Sequence, residues 1–408
     1  MHVLYLLQHF TPPDGSGGSR ASGLARRLVA AGHRVTIVTG SGFFPKSYEF
    51  KAPLTTLSID GAEVRVLDEP YSNKLSYARR LKAFFSFALR ASAEARRVDG
   101  VDLVFASSTP LTIAIPAIAA KRRHRVPMVF EVRDLWPEVP IALGALRNPL
   151  ARLAARLLER LAYREADRVI ALSPGMKAGV VRCGKPADLV TVVPNSSDVG
   201  TFRVPASAGQ AFLAAHPSIM GGPLVVYAGT LGTVNGAGYL VEIAANMLER
   251  APEVRFLIVG DGKEREQIER RAMETGTLGK NLWMLPRIPK TEMPGLLSAC
   301  ALSVSTVIDV PELWNNSANK FFDALAAGRP MLINHEGWLA DAIRASGAGL
   351  VVPPADAAAA AALTRDFLRD PERRRRAGEA AAALADGEFN RERLFERFLG
   401  VLASARGR

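Results

Sequence analysis

The stretch Glu312-Leu-Trp-Asn-Asn-Ser-Ala-Asn-Lys-Phe-Phe-Asp-Ala-Leu-Ala-Ala-Gly328 decides how the second half of the chain is organised. An apolar run at residues 301–307, rich in small and β-branched side chains, precedes it and predicts a buried strand. Ser317 is a predicted N-cap, because its hydroxyl can accept a hydrogen bond from a free backbone N–H of the first turn. Gly328 and Pro330 are helix stop signals, so the pattern predicts a helix over residues 318–327.

A strand, a polar loop and a helix N-terminus in this order predict an anion site. The free N–H groups and the positive end of the helix dipole would attract a phosphate. Lys320 adds a full charge, and Asn319 and Asp323 can project from one face of the helix. We therefore expect a nucleotide diphosphate on this helix, with polar side chains holding a sugar and a ribose. An ordinary capped helix of an α/β domain is the alternative.

Length and cysteine usage limit the class of protein. A chain of 408 residues is long for one hydrophobic core, so two domains are expected. Cys183 and Cys300 lie far apart without metal-ligand spacing, which predicts free thiols in a reducing compartment. The sequence enters a strand at Val3, and we expect neither a signal peptide nor a membrane span. These features predict a cytoplasmic protein.

The positive charge is concentrated in the first half of the chain. Residues 1–198 hold 28 Lys and Arg against 17 Asp and Glu, a balance of +11, while the remainder (52 − 28 = 24 against 40 − 17 = 23) has +1. A strongly basic half suggests that this part of the chain binds an anionic surface, either lipid head groups or nucleic acid. Residues 71–97 interleave cations with apolar and aromatic side chains, which is typical of a membrane-surface helix, and Lys121-Arg-Arg-His-Arg125 would extend the patch. The alternative is a helix packed on the sheet with solvated cations.

Strands and helices alternate in both halves, which predicts two doubly wound parallel sheets. In the first half, Gly17 and Gly18 follow strand one, where bare backbone N–H groups can meet an anion or sugar, and a plain flexible turn is the alternative. A later strand ends in Arg133-Asp-Leu-Trp-Pro-Glu138, at the edge where such sheets keep their sites. The predicted domains are 1–198 and 199–385, and a closing helix within 386–408 is expected to pack on the first domain. A substrate cleft is expected between the two domains.

Several short motifs together resemble a known family. They are Gly15-Ser-Gly-Gly18, Pro194-Asn-Ser-Ser-Asp198, Tyr227-Ala-Gly229, Val259-Gly-Asp-Gly262, Pro286-Arg-Ile-Pro-Lys290 and Asn319-Lys-Phe-Phe-Asp-Ala-Leu-Ala-Ala-Gly328. In this order and spacing, nearly the whole chain resembles glycosyltransferase family 4, retaining enzymes of the α/β GT-B fold with two Rossmann-like domains facing each other across a cleft. The motif at residues 133–138 together with that at 319–328 looks like the branch of bacterial O-antigen and capsule transferases that includes the L-fucosamine transferases.

The resemblance implies a reaction and the partners for it. A sugar, for example an N-acetylated amino sugar, would move with retention from a nucleotide-diphosphate donor, typically UDP-linked, to a lipid-linked or saccharide acceptor. The product would belong to a lipopolysaccharide or capsule. A helix dipole and cations can stabilise the leaving diphosphate, so neither a metal nor another cofactor is expected. The protein would lie on the inner face of the cell membrane, and nucleic acid is not an expected partner, because no recognised nucleic-acid module appears.

The resemblance also assigns site residues, with departures from the family pattern. Asn315 and Asp323 take the positions of two family glutamates that contact the donor sugar and the ribose, and Glu312 is a nearby substitute. The loop that often carries family cations holds Thr230 and Asn235 here, so the diphosphate charge must come from elsewhere. The expected donor-binding residues are Gly17, Gly18, Gly229, Gly232, Asn235, Lys263, Arg287, Ser317, Asn319, Lys320 and Asp323, with Lys320 the first choice of cation, Arg287 the second and Lys263 the third.

The acceptor is expected on the first domain. Asp134 could orient or polarise the acceptor hydroxyl, since a catalytic base must lie within hydrogen-bond reach, and Arg133 and Glu138 would contact the acceptor. A salt bridge to Arg133 or a helix cap is the alternative role of Asp134. For the whole protein the alternatives are an enzyme of the same fold resembling UDP-sugar 2-epimerases and a non-catalytic basic scaffold that binds membrane or nucleic acid.

Overall fold

The computed structural model describes residues 1–15, 20–69, 71 and 75–407. The chain forms two compact units, one of Met1–Pro194 with Glu392–Arg408 and one of Asn195–Arg391. The expected boundaries at 198 and 385 therefore fall inside the second unit. The physical reason at the first boundary is that Asn195 and Ser197 hydrogen-bond to Ser317 and Asp323 of that unit.

The first unit is built on an eight-stranded sheet in the order β3-β4-β2-β1-β5-β6-β7-β8. Its elements are β1 (His2–Leu6), α1 (Arg20–Ala30), β2 (Arg34–Gly40), β3 (Leu54–Ile59), β4 (Ala62–Leu67), α2 (Tyr77–Ala95), β5 (Leu103–Ser107), α3 (Ala114–His124), β6 (Met128–Val132), α4 (Glu138–Ala142), α5 (Pro149–Glu165), β7 (Arg168–Ala171), α6 (Pro174–Arg182) and β8 (Val190–Val192).

Among the described residues, one pair of strands in this sheet is antiparallel, the hairpin of β3 and β4. Its turn is Asp60-Gly61, with φ of 49° and 79°, a backbone conformation that Asp-Gly turns favour. The sequence analysis did not identify this hairpin, although Asp-Gly between alternating apolar residues is a hairpin signal. The hairpin places an antiparallel strand at the edge of an otherwise parallel sheet.

The second unit has a six-stranded sheet whose ladders are all parallel among the described residues. Its elements are α7 (Val199–Phe202), α8 (Ala206–Ala215), β9 (Leu224–Ala228), α9 (Tyr239–Met247), β10 (Arg255–Val259), α10 (Arg265–Glu274), β11 (Leu282–Leu285), α11 (Met293–Ala299), β12 (Leu302–Ser305), α12 (Asn319–Ala326), β13 (Met331–Ile333), α13 (Trp338–Ser346), β14 (Gly349–Val351), α14 (Ala357–Arg369) and α15 (Pro371–Asp386).

The strand order of this sheet locates its ligand edge. The order β11-β10-β9-β12-β13-β14 reverses direction between β9 and β12. In open α/β sheets, ligands bind beyond the carboxyl ends of the strands at such a reversal. The loops after Ala228 and after Ser305 therefore form the expected ligand edge of this sheet.

Helix α12 differs from its predicted form at its N-terminus. The N-cap is Ala318, which makes no side-chain capping bond, so the prediction of Ser317 as the cap is wrong. The Ser317 hydroxyl is used elsewhere, because it accepts the backbone N–H of Asn195 at 3.1 Å. The predicted stop is confirmed, since Gly328 has a φ of 64° and follows the helix as a left-handed cap.

The last helix, α16 (Arg391–Arg406), packs its apolar side into the core of the first unit. Phe398 is fully buried there, with its ring edge-on to Phe105 at 5.0 Å between centroids. Cys183 and Cys300 are free thiols. Within the part of the chain that the structure describes, no helix is both long and apolar enough to cross a bilayer.

Candidate functional site

Hydrogen bonds between neighbouring loops fix the edge of the second sheet where the strand order reverses. Thr306, just beyond β12, donates its hydroxyl to the Asn235 carbonyl in the loop after β9, at 2.7 Å. The buried amide of Asn334, beyond β13, donates to the Val307 carbonyl and accepts the Val307 N–H, both at 2.9 Å. The loops after three adjacent strands are thus held together by side chains that the sequence analysis did not single out.

Two glycines let the loop after β10 lie directly against the loop after β9. A Cβ atom on Gly260 would lie 1.9 Å from the Gly229 carbonyl oxygen, and one on Gly262 would lie 2.3 Å from that of Leu231. Only glycine allows so close an approach of two backbones. Arg265 caps this edge, because its guanidinium donates to the carbonyls of Gly260 at 2.6 Å and Leu285 at 3.0 Å.

The N-terminus of α12 presents unused donors to this edge. The Ala318 N–H is bonded to the Asn316 side chain at 3.2 Å. Among the described residues, the backbone N–H groups of Asn319 and Lys320 have no acceptor. These two groups and the positive end of the helix dipole are the elements of an anion site.

The Lys320 side chain extends from this helix to the end of β9 and places its ammonium group there. Its Nζ donates to the Tyr227 hydroxyl at 2.9 Å and lies 4.1 Å from the centroid of the Tyr227 ring. The Tyr227 hydroxyl in turn donates to the Thr230 carbonyl at 2.8 Å. A Cβ atom on Gly229 would lie 3.2 Å from the same Nζ, so the ammonium group rests against the bare backbone of the loop.

Burial strongly affects the charge of this lysine. Desolvation lowers the pKa of Lys320 from 10.5 to about 7. The tyrosine ring and hydroxyl favour the charged form, since a cation is attracted to an aromatic face. No carboxylate pairs with Lys320 among the described residues. A cation without a counter-charge, beside unused N–H donors, is suited to a phosphate.

Asp323 lies one turn further along the same helix. It accepts a short hydrogen bond from the Ser197 hydroxyl, and burial raises its pKa to about 6 while Arg391 and Lys290 act in the opposite direction. The side-chain amides of Asn315 and Asn319 make no hydrogen bond within the described residues. Both amides are therefore available to a ligand.

The remaining predicted site residues of the second unit lie in the loops after β9, β10, β11 and β12. Gly232 precedes the short turn Thr233–Asn235 in the loop after β9. Lys263 is exposed after β10, and Arg287 is exposed after β11, the edge strand. Glu312 is exposed in the turn Pro311–Leu313 and has no hydrogen-bond partner among the described residues. Of the three predicted cations, the structure places Lys320 against the loop after β9.

The first unit gathers the predicted acceptor residues beyond β6. Asp134 accepts the Thr109 hydroxyl at 2.8 Å, and the expected alternative of a salt bridge to Arg133 does not occur among the described residues. Desolvation raises the pKa of Asp134, opposed by the Thr109 bond and the charge of Arg133, although its exposure to solvent limits the effect. Glu138 instead pairs with Arg182 at 3.6 Å. Gly17 and Gly18 lie outside the described residues.

An aromatic cluster at the same edge was missed by the sequence analysis. The His9 ring lies 4.7 Å from that of Phe43 and 4.6 Å from that of Tyr71, and Phe84 packs behind Tyr71 at 5.6 Å. Burial and the nearby arginines lower the pKa of His9 to about 3, so the imidazole is neutral. Arg80 donates to the Tyr71 hydroxyl at 3.0 Å. The rings come from separate loops and a helix, so spacing along the chain does not reveal them.

A buried ion pair anchors the start of α1 to the sheet. Arg20 donates to Glu131 at 2.7 Å, with the carboxylate fully buried, and to the carbonyls of Val193 and Pro194 at 3.0 and 2.8 Å. The Ser107 hydroxyl completes the pair at 2.6 Å from Glu131. The pair joins α1, β5, β6 and the end of β8, and it fixes the helix that follows the glycine-rich loop.

Two parallel α/β units define the architecture called GT-B, and comparison with known proteins confirms it. A family model described as "Glycosyl transferase 4-like domain" matches residues 15–196, and one described as "Glycosyl transferases group 1" matches residues 210–384. The crystal structure of Anabaena Alr3699/HepE in complex with UDP-glucose aligns with a TM-score of 0.75 over 99% of this chain and all of that one, at 19% identity. The chain belongs to the glycosyltransferases of the GT-B fold.

Curated relatives have the same class of name. The D-inositol 3-phosphate glycosyltransferase of Nocardia farcinica is 29% identical over 276 residues, 65% of this chain and 58% of that protein. The putative colanic acid biosynthesis glycosyl transferase WcaI of Escherichia coli is 22% identical over 314 residues, 73% of this chain and 74% of that protein. The matched stretch thus spans a little over half of the Nocardia relative.

Proposed function

We propose that the chain transfers a sugar from a nucleotide-diphosphate donor, preferably UDP-linked, to a hydroxyl acceptor with retention of configuration. This proposal rests on the ammonium group of Lys320, which lies in the first turn of α12. The group has no acidic partner among the described residues and lies against Gly229 in the loop after β9. As the bond to the leaving diphosphate breaks, negative charge grows there. A preorganised cation and free N–H groups stabilise this charge.

The second unit supplies each part that the donor needs. The Lys320 ammonium and the N–H groups of Asn319 and Lys320 hold the diphosphate, and Asp323 bonds the ribose hydroxyls. The Asn315 amide binds the donor sugar, with Glu312 beside it on the preceding turn. HepE, whose structures were solved with UDP and with UDP-glucose, supports a uridine nucleotide as the donor.

The acceptor binds to the first unit in this proposal. Asp134, which is exposed beyond β6 and accepts the Thr109 hydroxyl, accepts a hydrogen bond from the reacting hydroxyl. The rings of Phe43 and Tyr71 offer an apolar face to a sugar. The likeness to WcaI supports a role in surface polysaccharide synthesis on a lipid-linked acceptor at the inner face of the membrane.

Donor binding is tested first because it does not depend on the acceptor. Thermal unfolding of the full chain is followed with UDP, GDP, ADP and inorganic pyrophosphate. A ligand at 100 times its dissociation constant adds about 2.7 kcal/mol to the free energy of unfolding. UDP should give the largest shift. The absence of a shift with every nucleoside diphosphate would contradict the proposal.

The reaction is tested with a UDP-sugar panel in the presence and absence of membranes that carry lipid-linked saccharides. Label from the donor should enter the lipid fraction, and the anomeric proton coupling of the product should match that of the donor. A new UDP-sugar formed without any acceptor would indicate an epimerase instead. An inverted anomer would contradict the proposed retention.

A further inference from the structure

We propose that the outward face of α5 docks the chain on an anionic lipid bilayer, with Leu150, Leu153 and Leu157 entering the head-group region. This interaction surface rests on the proposed function only in that a lipid-linked acceptor gives membrane contact a purpose. The sequence analysis assigned membrane contact to residues 71–97 instead, and the structure distinguishes the two helices.

The outward face of α5 is apolar, contrary to the usual pattern of a surface helix. The exposed fractions of Leu150, Leu153 and Leu157 are 76%, 56% and 55%. Their spacing of three and four residues places them in one stripe along the helix. The opposite side faces the core through Ala162 and Tyr163. A surface helix normally turns its polar side to water, so an exposed leucine stripe indicates a binding surface.

Arginines without acidic partners flank this stripe. Arg156, Arg160 and Arg164 are exposed, and none has a salt bridge to a described residue. The two acids of α5 cannot neutralise them, because Glu159 is buried and Glu165 pairs with Arg122 at 2.9 Å. An apolar stripe edged with arginine is the pattern of a helix that lies in the membrane interface.

Among the described side chains, α2 exposes fewer large apolar residues than α5 does. Phe84 and Phe87 of α2 are buried in the protein core, and Lys74 lies outside the described residues. Arg90 is engaged within the unit, since it donates to the carbonyls of Asp68 and Pro53 and to the Glu69 carboxylate. Of the large apolar side chains described on α2, Phe85 and Leu89 are exposed, and they form a smaller patch.

Part of the basic run after residue 120 is also engaged within the unit. The Lys121 ammonium donates to the Glu165 carbonyl and to Asp167 at 2.9 Å. Helix α3, which carries this lysine, packs against both α2 and α5, and all three contribute to one core on the same face of the sheet. The leucine stripe therefore lies on the same side of the sheet as the exposed part of α2.

Charge favours a lipid surface over a second copy of the chain. A symmetric dimer through α5 would bring the arginines of one protomer against those of the other. Since the acids of α5 are buried or paired, nothing on the helix would offset that repulsion. Anionic head groups offset it directly, and each arginine near such a surface strengthens binding by about fivefold.

The test is flotation of the full chain with vesicles of phosphatidylcholine, pure or mixed with phosphatidylglycerol. One variant combines Leu150→Gln, Leu153→Gln and Leu157→Gln, and another combines Arg156→Gln, Arg160→Gln and Arg164→Gln. The matched control combines Leu363→Gln with Met273→Gln, which are 42% and 61% exposed on the second unit. A second comparison combines Phe85→Gln with Leu89→Gln on α2.

We expect the wild type to float only with the mixed vesicles. The leucine and arginine variants should each bind more weakly, by about tenfold or more, while the control variant binds as the wild type does. UDP-induced thermal shifts should be the same in all variants, which separates this test from that of donor binding. Equal flotation of the leucine variant and the wild type would overturn the proposal. So would a greater loss in the α2 variant, or a wild-type dimer that the leucine changes dissociate without affecting flotation.

Discussion

Replacing Lys320 by methionine separates the effect of this lysine on the free energy of unfolding from its effect on ligand binding. The fall of its pKa from 10.5 to about 7 corresponds to about 5 kcal/mol of penalty on the charged form. The ring and hydroxyl of Tyr227 offset about 1–2 kcal/mol of this desolvation penalty. Methionine keeps most of the apolar chain and removes the charge. The variant should therefore be more stable than the wild type by about 3–4 kcal/mol at neutral pH without ligand.

The stability gain from Lys320→Met should decrease as pH rises. In the unfolded chain Lys320 holds its proton up to the ordinary pKa of 10.5, whereas in the folded chain it loses the proton near 7. Between these values the unfolded state binds more protons, so the wild type becomes more stable as pH rises. The advantage of Lys320→Met should be fully present at and below pH 7 and should shrink as pH approaches 10.5.

The measurement is urea unfolding over this pH range, with and without UDP. The wild type should gain stability from UDP, and the variant should lose most of that gain. A diphosphate beside the ammonium group raises the pKa of Lys320, so UDP binding above pH 7 should also take up a proton. Calorimetry in buffers of different ionisation enthalpy measures this uptake, and the variant should show none.

Lys263→Met is the matched control, because Lys263 is exposed in the loop after the adjacent strand β10. It should change neither the stability nor the proton uptake. If Lys320→Met unfolded more easily than the wild type at every pH and still bound UDP, the reasoning would be refuted. Lys320 would then serve to hold Tyr227 rather than a phosphate.

Three further predictions concern other buried or clustered groups. Glu131→Ala should lower the free energy of unfolding by about 3–5 kcal/mol at neutral pH, because it leaves Arg20 buried without its partner. Burial opposes ionisation of Glu131, but Arg20 and Arg133 lower its pKa below 4.5 overall. The stability that the ion pair gives the wild type should therefore be lost as urea unfolding is measured at more acidic pH. An unchanged urea midpoint in the variant would contradict a stabilising role of the pair. Asp323→Asn should weaken UDP binding by about tenfold or more in calorimetry and leave pyrophosphate binding unchanged, whereas equal losses would place the carboxylate away from the ribose. Phe43→Ala should raise KM for the acceptor without changing UDP affinity, and an unchanged KM would exclude the aromatic cluster from the acceptor site.

The fold follows from local patterns, which is why the sequence predicts it well. Apolar runs of strand length alternate with helical periodicity along both halves, and this alternation requires parallel sheets with helices between their strands. The confirmed GT-B architecture rests on that alternation. The hairpin β3–β4 was missed although Asp60-Gly61 signals it, so that error came from an unused local pattern.

The errors at the site have a different origin, since they depend on contacts between distant residues. Ser317 has the chemistry of an N-cap, but its hydroxyl is taken by Asn195, which lies 122 positions away in the chain. The pairing of Glu138 with Arg182 of another helix is likewise a contact that the sequence does not show, and the acceptor role of Glu138 stays a prediction. A sequence pattern ranks what each side chain can do locally, and it cannot show which distant group competes for the same atom.

Membrane contact illustrates the same limit at the scale of a helix. The composition of residues 71–97 shows cations and aromatic rings, but it does not show that Phe84 and Phe87 face the core or that Arg90 is engaged. Composition also does not show that Leu150 and Leu157 of α5 are exposed. Composition identifies amphipathic helices, and only packing identifies the side that remains free.

The placement of charge at the donor edge joins two positions that the sequence keeps far apart. The loop at residues 230–235 contains no Lys or Arg, yet an ammonium group lies against its first turn because Lys320 reaches there from α12. This reach depends on residue 229, where the position of a Cβ atom would be 3.0 Å from Cε of Lys320. Glycine at 229 and lysine at 320 are therefore coupled. Gly229→Ala should displace the ammonium group and weaken UDP binding, and adding Lys320→Met to it should cause little further loss.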